Sequence, residues 1–188
     1  MFRLYAISLM GISLIGCSEQ DSVNVKPVEK LENTQVNLVV QKFLGICVNN
    51  MPRIDKVVAS AEMLKWQPLT REQALMVAPA DPLTEFSGWY LKDGESQFMV
   101  GVSESIWKNK PAPSCSIATA DVPPLEVKTA LKAMLNNPTI LDDFTEGGQQ
   151  VSMYEYKSSL VNGIVIMTDA SPSNVDALSI SFLAPSEI

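Results

Sequence analysis

Three kinds of side chain in this sequence are of types that do chemistry: three cysteines, a short run of acids, and a set of aromatics with a polar edge. Histidine does not occur in the chain. Its absence excludes Ser-His-Asp and Cys-His catalysis and any His-ligated zinc site. The serine of Gly101-Val102-Ser103-Glu104-Ser105 therefore has no histidine to take its proton, and Ser105 stands where a nucleophile elbow would close on glycine. Asp142, Asp143 and Glu146 fall within five residues ahead of Gly147-Gly148 and could offer oxygen ligands to Ca²⁺. Their spacing is not that of an EF-hand loop, and they read as an acidic surface turn. No phosphate-binding loop and no C-x-x-C pair is present, so no cofactor and no metal is expected. Two routes to catalysis stay open without histidine: carboxylates held about 5 to 10 Å apart across a cleft, and Ser-Lys chemistry.

Trp66, Trp89, Tyr90, Trp107, Tyr154 and Tyr156 each join a large apolar body to a hydrogen-bonding edge, which suits a groove that holds a peptide, a glycan or a protein partner. Trp89, Trp107, Tyr154 and Tyr156 are the binding candidates. Trp107 stands out because the Pro- and Lys-bearing stretch around it reads as a connection outside the regular elements.

What positions these residues begins with where the chain resides. Arg3 precedes a mostly apolar run over residues 4–13, shorter than the about 20 residues a membrane-spanning helix needs. Leu14-Ile15-Gly16-Cys17 follows, and polar sequence begins at Ser18. This resembles the signal of bacterial lipoproteins, in which the chain is cut before the cysteine and that cysteine is acylated. The resemblance covers about the first 18 residues. It implies that residues 1–16 are a signal peptide, that Cys17 carries the lipid, and that the bilayer is a partner through it. Acyl chains contribute about 0.8 kcal/mol per buried CH₂, so several of them anchor a protein for good. Ser18, where an aspartate would imply inner-membrane retention, is similar to the pattern sent to the outer membrane, which implies the inner, periplasmic face of that membrane in the bacterial cell envelope.

Residues 17–33 are polar, with a single proline at Pro27 and no sustained period, as a disordered tether would be. Residues 34–188 then suffice for a single globular domain with a well-buried core. In an exported domain, Cys47 and Cys115 are expected to form a disulfide, since both sit at core-facing positions and the compartment is oxidising. The whole chain has a formal charge of −7, with 14 basic and 21 acidic residues. That balance argues against nucleic acid or anionic lipid as the main partner.

Val36, Val39, Val40, Phe43, Leu44 and Cys47 form a helical stripe, and Pro52 opens a second helix carrying Ile54, Val57, Val58, Ala61 and Leu64 inward. Thr70 and Gln73 have capping-box spacing, predicting a short helix through Met76 or Val77, followed by a loop over residues 78–82. The period then becomes alternating: strands over 86–91 and 95–103 with a turn between, a connection over 109–113, and a strand over 114–119. Pro123 and Pro124 open a helix with Val127, Ala130, Leu131, Met134 and Leu135 inward. Residues 139–144 are an edge strand or an irregular arm. Strands over 150–161, 164–169 and 178–182 complete the chain, with Asn162-Gly163 read as a hairpin turn.

The expected fold is therefore α+β: one antiparallel sheet of five or six strands, a hairpin plus a C-terminal three-strand meander, with two or three helices on one face. The globular part is similar to small uncharacterised lipoproteins of proteobacteria, which carries no activity with it. The expected function is a non-enzymatic binding protein, a component of an envelope complex or an inhibitor or immunity protein, with a protein or cell-wall partner. The alternative is a cell-envelope hydrolase working through carboxylates or Ser-Lys chemistry.

Overall fold

The stripe at Val36 does form a helix, α1 (Thr34–Lys42), which runs on without a break into a π-helical turn over Phe43–Val48. A computed structural model of the chain describes residues 34–74, 86–120 and 122–185. The acylation signal, Cys17, the tether, the end of the helix expected at Met76 or Val77 and the loop over 78–82 lie outside the described residues. Val36, Val39, Val40, Phe43 and Cys47 are buried, and the wider π turn buries Val48 beside Cys47 as well. Asn50 closes the turn by donating its side-chain amide to the carbonyl of Ile46 at 2.8 Å. These otherwise orphaned carbonyls need such a donor.

Helix α2 (Ile54–Met63) buries Val57 and Ala61. Leu64, expected to point inward, is 59% exposed. The cause is local: Lys65 takes a left-handed conformation (φ 54°), and the Trp66 amide bonds back to the Ala61 carbonyl at 2.9 Å. That reversal turns Trp66 in and leaves Leu64 out. A two-residue strand β1 (Gln67–Pro68) follows, then a short helix α3 (Arg71–Ala74). The capping box is made as read, with the Gln73 amide donating to Thr70 Oγ1 at 3.3 Å and the Thr70 amide to Gln73 Oε1 at 2.9 Å.

The long strands are β2 (Phe86–Asp93), β3 (Ser96–Trp107), β4 (Lys110–Ala120), β5 (Thr139–Glu146), β6 (Gln149–Lys157), β7 (Asn162–Asp169) and β8 (Ala177–Leu183). Helix α4 (Pro124–Met134) stands between β4 and β5. All strands join one antiparallel sheet in the order β1-β2-β3-β4-β8-β7-β6-β5. The sheet thus has eight strands where five or six were expected, and the C-terminal meander has four strands, not three. Two edges account for most of the difference. β1 is too short to show a period, and β5 is exposed along nearly its whole length, so neither carries an alternating signal.

Residues 109–113, read as a connection, are a turn and the start of β4. Lys108 and Asn109 both have positive φ (49° and 64°), which closes a two-residue hairpin between Trp107 and Lys110. Pro111 and Pro113 are tolerated because β8 pairs with β4 only from Ser114 onward, so here β4 is a sheet edge on that side. Nor is Asn162-Gly163 the turn between β6 and β7. Lys157 pairs with Asn162, and the loop is residues 158–161, tied by Ser158 Oγ, which accepts from the amides of Leu160 (3.2 Å) and Val161 (3.0 Å). Gly163 is a strand residue whose missing side chain makes room. A Cβ there would come within 2.3 Å of the Phe182 ring and 2.6 Å of the Leu183 carbonyl oxygen.

Helices α1, α2 and α4 share one core with alternate residues of the strands, among them Val100, Val102, Cys115, Ile117, Val165, Ile180 and Phe182. Met134, expected to join them, is 39% exposed, whereas Val127, Ala130, Leu131 and Leu135 are buried. A fully buried aliphatic or aromatic side chain contributes about 1.5–3 kcal/mol, so this shared core is what holds helices to sheet.

Candidate functional site

The residues singled out in the sequence do not converge. Trp89 is buried in the core and meets Trp66 edge-to-face, with ring centroids 6.4 Å apart. Tyr154 is fully buried on β6, two strands from the sheet centre, and Tyr156 stands edge-on to Phe182 at 5.7 Å. Trp107 is the last residue of β3 rather than part of a connection. It packs against a separate small cluster of Ala112, Ile164 and Leu183, with Lys108 Nζ 5.8 Å from its ring centre. Cys47 and Cys115 stand at disulfide distance, with their sulfurs 2.00 Å apart, linking the π-helical turn to β4.

The serines of the false nucleophile elbow bond to other serines. Ser103 and Ser114 hydroxyls are 2.7 Å apart, and Ser105 lies 3.3 Å and 3.2 Å from them. Ser114 Oγ also lies 3.4 Å from the Ser103 carbonyl oxygen, so the hydroxyls of this triangle bond to one another and to backbone. Among the described residues, no three His, Cys, Asp or Glu side chains are placed to hold a metal ion.

The acids before Gly147-Gly148 split. Asp143, paired with Ser152 across β5 and β6, becomes the centre of a polar cluster. Its Oδ2 lies 2.9 Å from Lys128 Nζ on α4, while its Oδ1 accepts from Gln150 Nε2 and, at 3.2 Å, from Ser152 Oγ. Thr145 Oγ1 in turn donates to Gln150 Oε1 at 2.7 Å. The Lys128 ammonium, with help from Gln150 and Ser152, holds the Asp143 carboxyl below its ordinary value. Burial pushes the neighbouring Tyr154 phenol up. Lys128 Nζ and the Ser152 hydroxyl both bond to Asp143. The cluster ties α4 to the edge of the sheet and supplies no Ser-Lys pair. Sequence reasoning missed Lys128, Gln150 and Ser152, because the β5–β6 register brings Gln150 and Ser152 to Asp143 and the placement of α4 brings Lys128.

A cavity of about 370 Å³ lies at the sheet centre, where β4 pairs with β8. Its floor is one cross-strand row, Met99, Ala118, Ser179 and Thr168, on four neighbouring strands. Small Ala118 and Ser179 in the middle of that row leave the depression. The walls are two turns. Gly147 and Gln149 come from the β5–β6 turn, and Ser173 and Val175 from the 3₁₀ turn at Ser171–Ser173 and the residues after it. Ser173 Oγ donates to the Gly148 carbonyl at 2.7 Å, fixing one wall to the other. Gly148 has φ 77°, and a Cβ on it would fall 2.3 Å from that Ser173 oxygen. Among the described residues, those lining the cavity are alanines, Met99, Val175, Leu178 and neutral polar side chains, with no ionisable group. At this size it takes an apolar side chain or a small neutral ligand, with hydroxyls at hand to orient it. Its sequence signal was faint: alanines and serines at alternate strand positions read as weak strand, not as a hollow.

The chain matches no known family model, no curated protein and no solved structure.

Proposed function

We propose that this chain is a lipid-anchored, periplasm-facing binding protein of the bacterial outer membrane that performs no catalysis of its own. The anchor rests on Leu14-Ile15-Gly16-Cys17 and the apolar run before it. The binding reading rests on the neutral cavity between the β5–β6 turn and the 3₁₀ turn. A hydrolase needs an acid or a base facing its substrate, and none of the described residues that line this cavity is ionisable. Its occupant on this reading is an apolar side chain of a protein partner in the envelope, an assembly component or a target the chain inhibits. No observation singles out the carboxylate or Ser-Lys hydrolase.

Crosslinking in intact envelopes tests the binding reading. One stoichiometric partner with the unaltered chain, lost in Val175→Asp and in Ala118→Trp, supports it. Val175 is 50% exposed, so its change leaves folding alone. Turnover of peptidoglycan fragments that a single Asp or Glu substitution abolishes would replace this reading with the enzymatic one. For the anchor, Cys17→Ser is expected to leave the membrane fraction on carbonate washing, and its retention there sinks the lipoprotein assignment.

A further inference from the structure

The reversal at Lys65 leaves two large apolar side chains in water, Met63 at 75% and Leu64 at 59% exposure. Scattered apolar residues on a surface are ordinary, but Leu64 lines a groove of about 380 Å³, and Met63 precedes it in the chain. Leu38, Gly45 and Ile46 of α1 and its π-helical turn line one side, and Leu64, Trp66 and Leu91 the other. Lys42 stands at its rim, bound to Asp93 at 2.6 Å, and exposed Lys65 follows the Met63-Leu64 tip. Methionine, leucine and tryptophan backed by a lysine on a long aliphatic stem is the composition of a surface that sits in the headgroup boundary of a bilayer.

From these residues we infer that the Met63-Leu64 tip and the Trp66 groove seat on the bilayer, giving the protein a second, apolar contact with the membrane that holds its lipid. The inference rests on acylation at Cys17. Sixteen residues, 18–33, separate that cysteine from Thr34, the first residue of the helix that walls the groove. A chain of that length reaches at most about 50 Å. The groove begins one helical turn beyond, at Leu38. Confinement to so thin a layer makes even a weak contact effective, as linkage does for any second binding event. The contact is apolar rather than electrostatic, in keeping with a chain of net charge −7.

The test uses the full acylated protein in phosphatidylcholine vesicles whose acyl chains carry bromine, a short-range quencher of tryptophan. Trp66, Trp89 and Trp107 are its three reporters. The expected result is bromine quenching of the unaltered protein that disappears in Trp66→Phe, persists in Trp107→Phe, and weakens in the exposed-site changes Met63→Ser and Leu64→Ser. Protein that carbonate strips from the vesicles overturns the anchor and the inference together. Protein that stays bound, with quenching absent or indifferent to Trp66→Phe and to Met63→Ser, overturns the bilayer contact alone.

Discussion

The two halves of the sheet solve one problem in different ways. In the first half, α2 packs on β3 and β4, and the π-helical turn that ends α1 packs on β4 and, across the seam, on β8. In the second, α4 packs on α1 and reaches β5 through Lys128 and Asp143. The halves meet where β4 pairs with β8, and the pairing sets Ile117 opposite Ile180 and Ser116 opposite Ser181, whose hydroxyls are 2.7 Å apart. From that line outward the two halves differ. The first half fastens its helix covalently, Cys47 to Cys115, and both residues are fully buried. The second half has no bridge. It fastens α4 through Lys128 and the hydrogen-bonded Asp143, a tie partly open to water. A disulfide acts mainly on the unfolded chain, whereas an exposed ion pair acts weakly and only while it is charged. The halves should therefore fail under different conditions.

The largest expected effect is on the first half. Cys47→Ala with Cys115→Ala releases a loop closed over a separation of 68 residues, which the chain-entropy account values at about 4 kcal/mol. Chemical denaturation with and without reductant measures it. Hydrogen exchange should rise in α1 and β4 before β6 and β7. Equal loosening of both halves would mean that the bridge stabilises the sheet as a whole and that the contrast between them is false.

Next comes Gly163→Ala in the second half. The added methyl meets the Phe182 ring and the Leu183 backbone oxygen, and a backbone atom cannot swing aside. Overpacking of this kind costs about 1–3 kcal/mol. Its counterpart in the first half is Gly45→Ala. Gly45 lies exposed in the π-helical turn, and a Cβ there meets nothing within 4 Å. That change should stabilise by about 0.5–1 kcal/mol, through the unfolded chain. Thermal midpoints moving in opposite directions confirm the pair. A neutral Gly163→Ala would mean that β7 can shift away from β8.

The same glycine marks how far the sequence could be read. Helix positions were legible because their stripes are long: Val36 to Cys47 and Val127 to Leu135 fell on the buried face. The ends were not, since Leu64 and Met134 continue the stripe in sequence while the chain has already turned away. Asn162-Gly163 has the composition of a tight turn, yet packing against Phe182 makes that glycine a strand residue, and the turn chemistry is carried by Ser158 instead. Edge strand β1 escaped, and residues 139–144 stayed open between edge strand and irregular arm, because little is buried there to set a period. Of the cavity, only Gly147-Gly148 drew notice. Its floor depends on which strands neighbour one another, and β4 beside β8 joins residues 65 apart in sequence.

The smallest effect bears most directly on the second half's tie. Lys128 and neighbouring hydrogen bonds favour the ionised form of Asp143, so its folded-state pKa lies below the value of an unfolded aspartate. A depressed carboxylate adds stability that is complete above the unfolded pKa and is lost as pH falls through the folded one. The unfolded reference is about 3.9, so the loss begins as pH approaches 4 and finishes below it. The side chains of Lys128 and Asp143 are 25% and 36% exposed, so screening limits the contribution to about 0.2–1 kcal/mol. Asp143→Asn should cost that much at pH 7 and nothing near pH 2, while Asp55→Asn, on an exposed pair with Arg53 in the first half, should change little at either pH. If Asp143→Asn costs as much at pH 2 as at pH 7, the tie depends on shape and not on charge. The two halves would then differ only in whether the fastening is covalent.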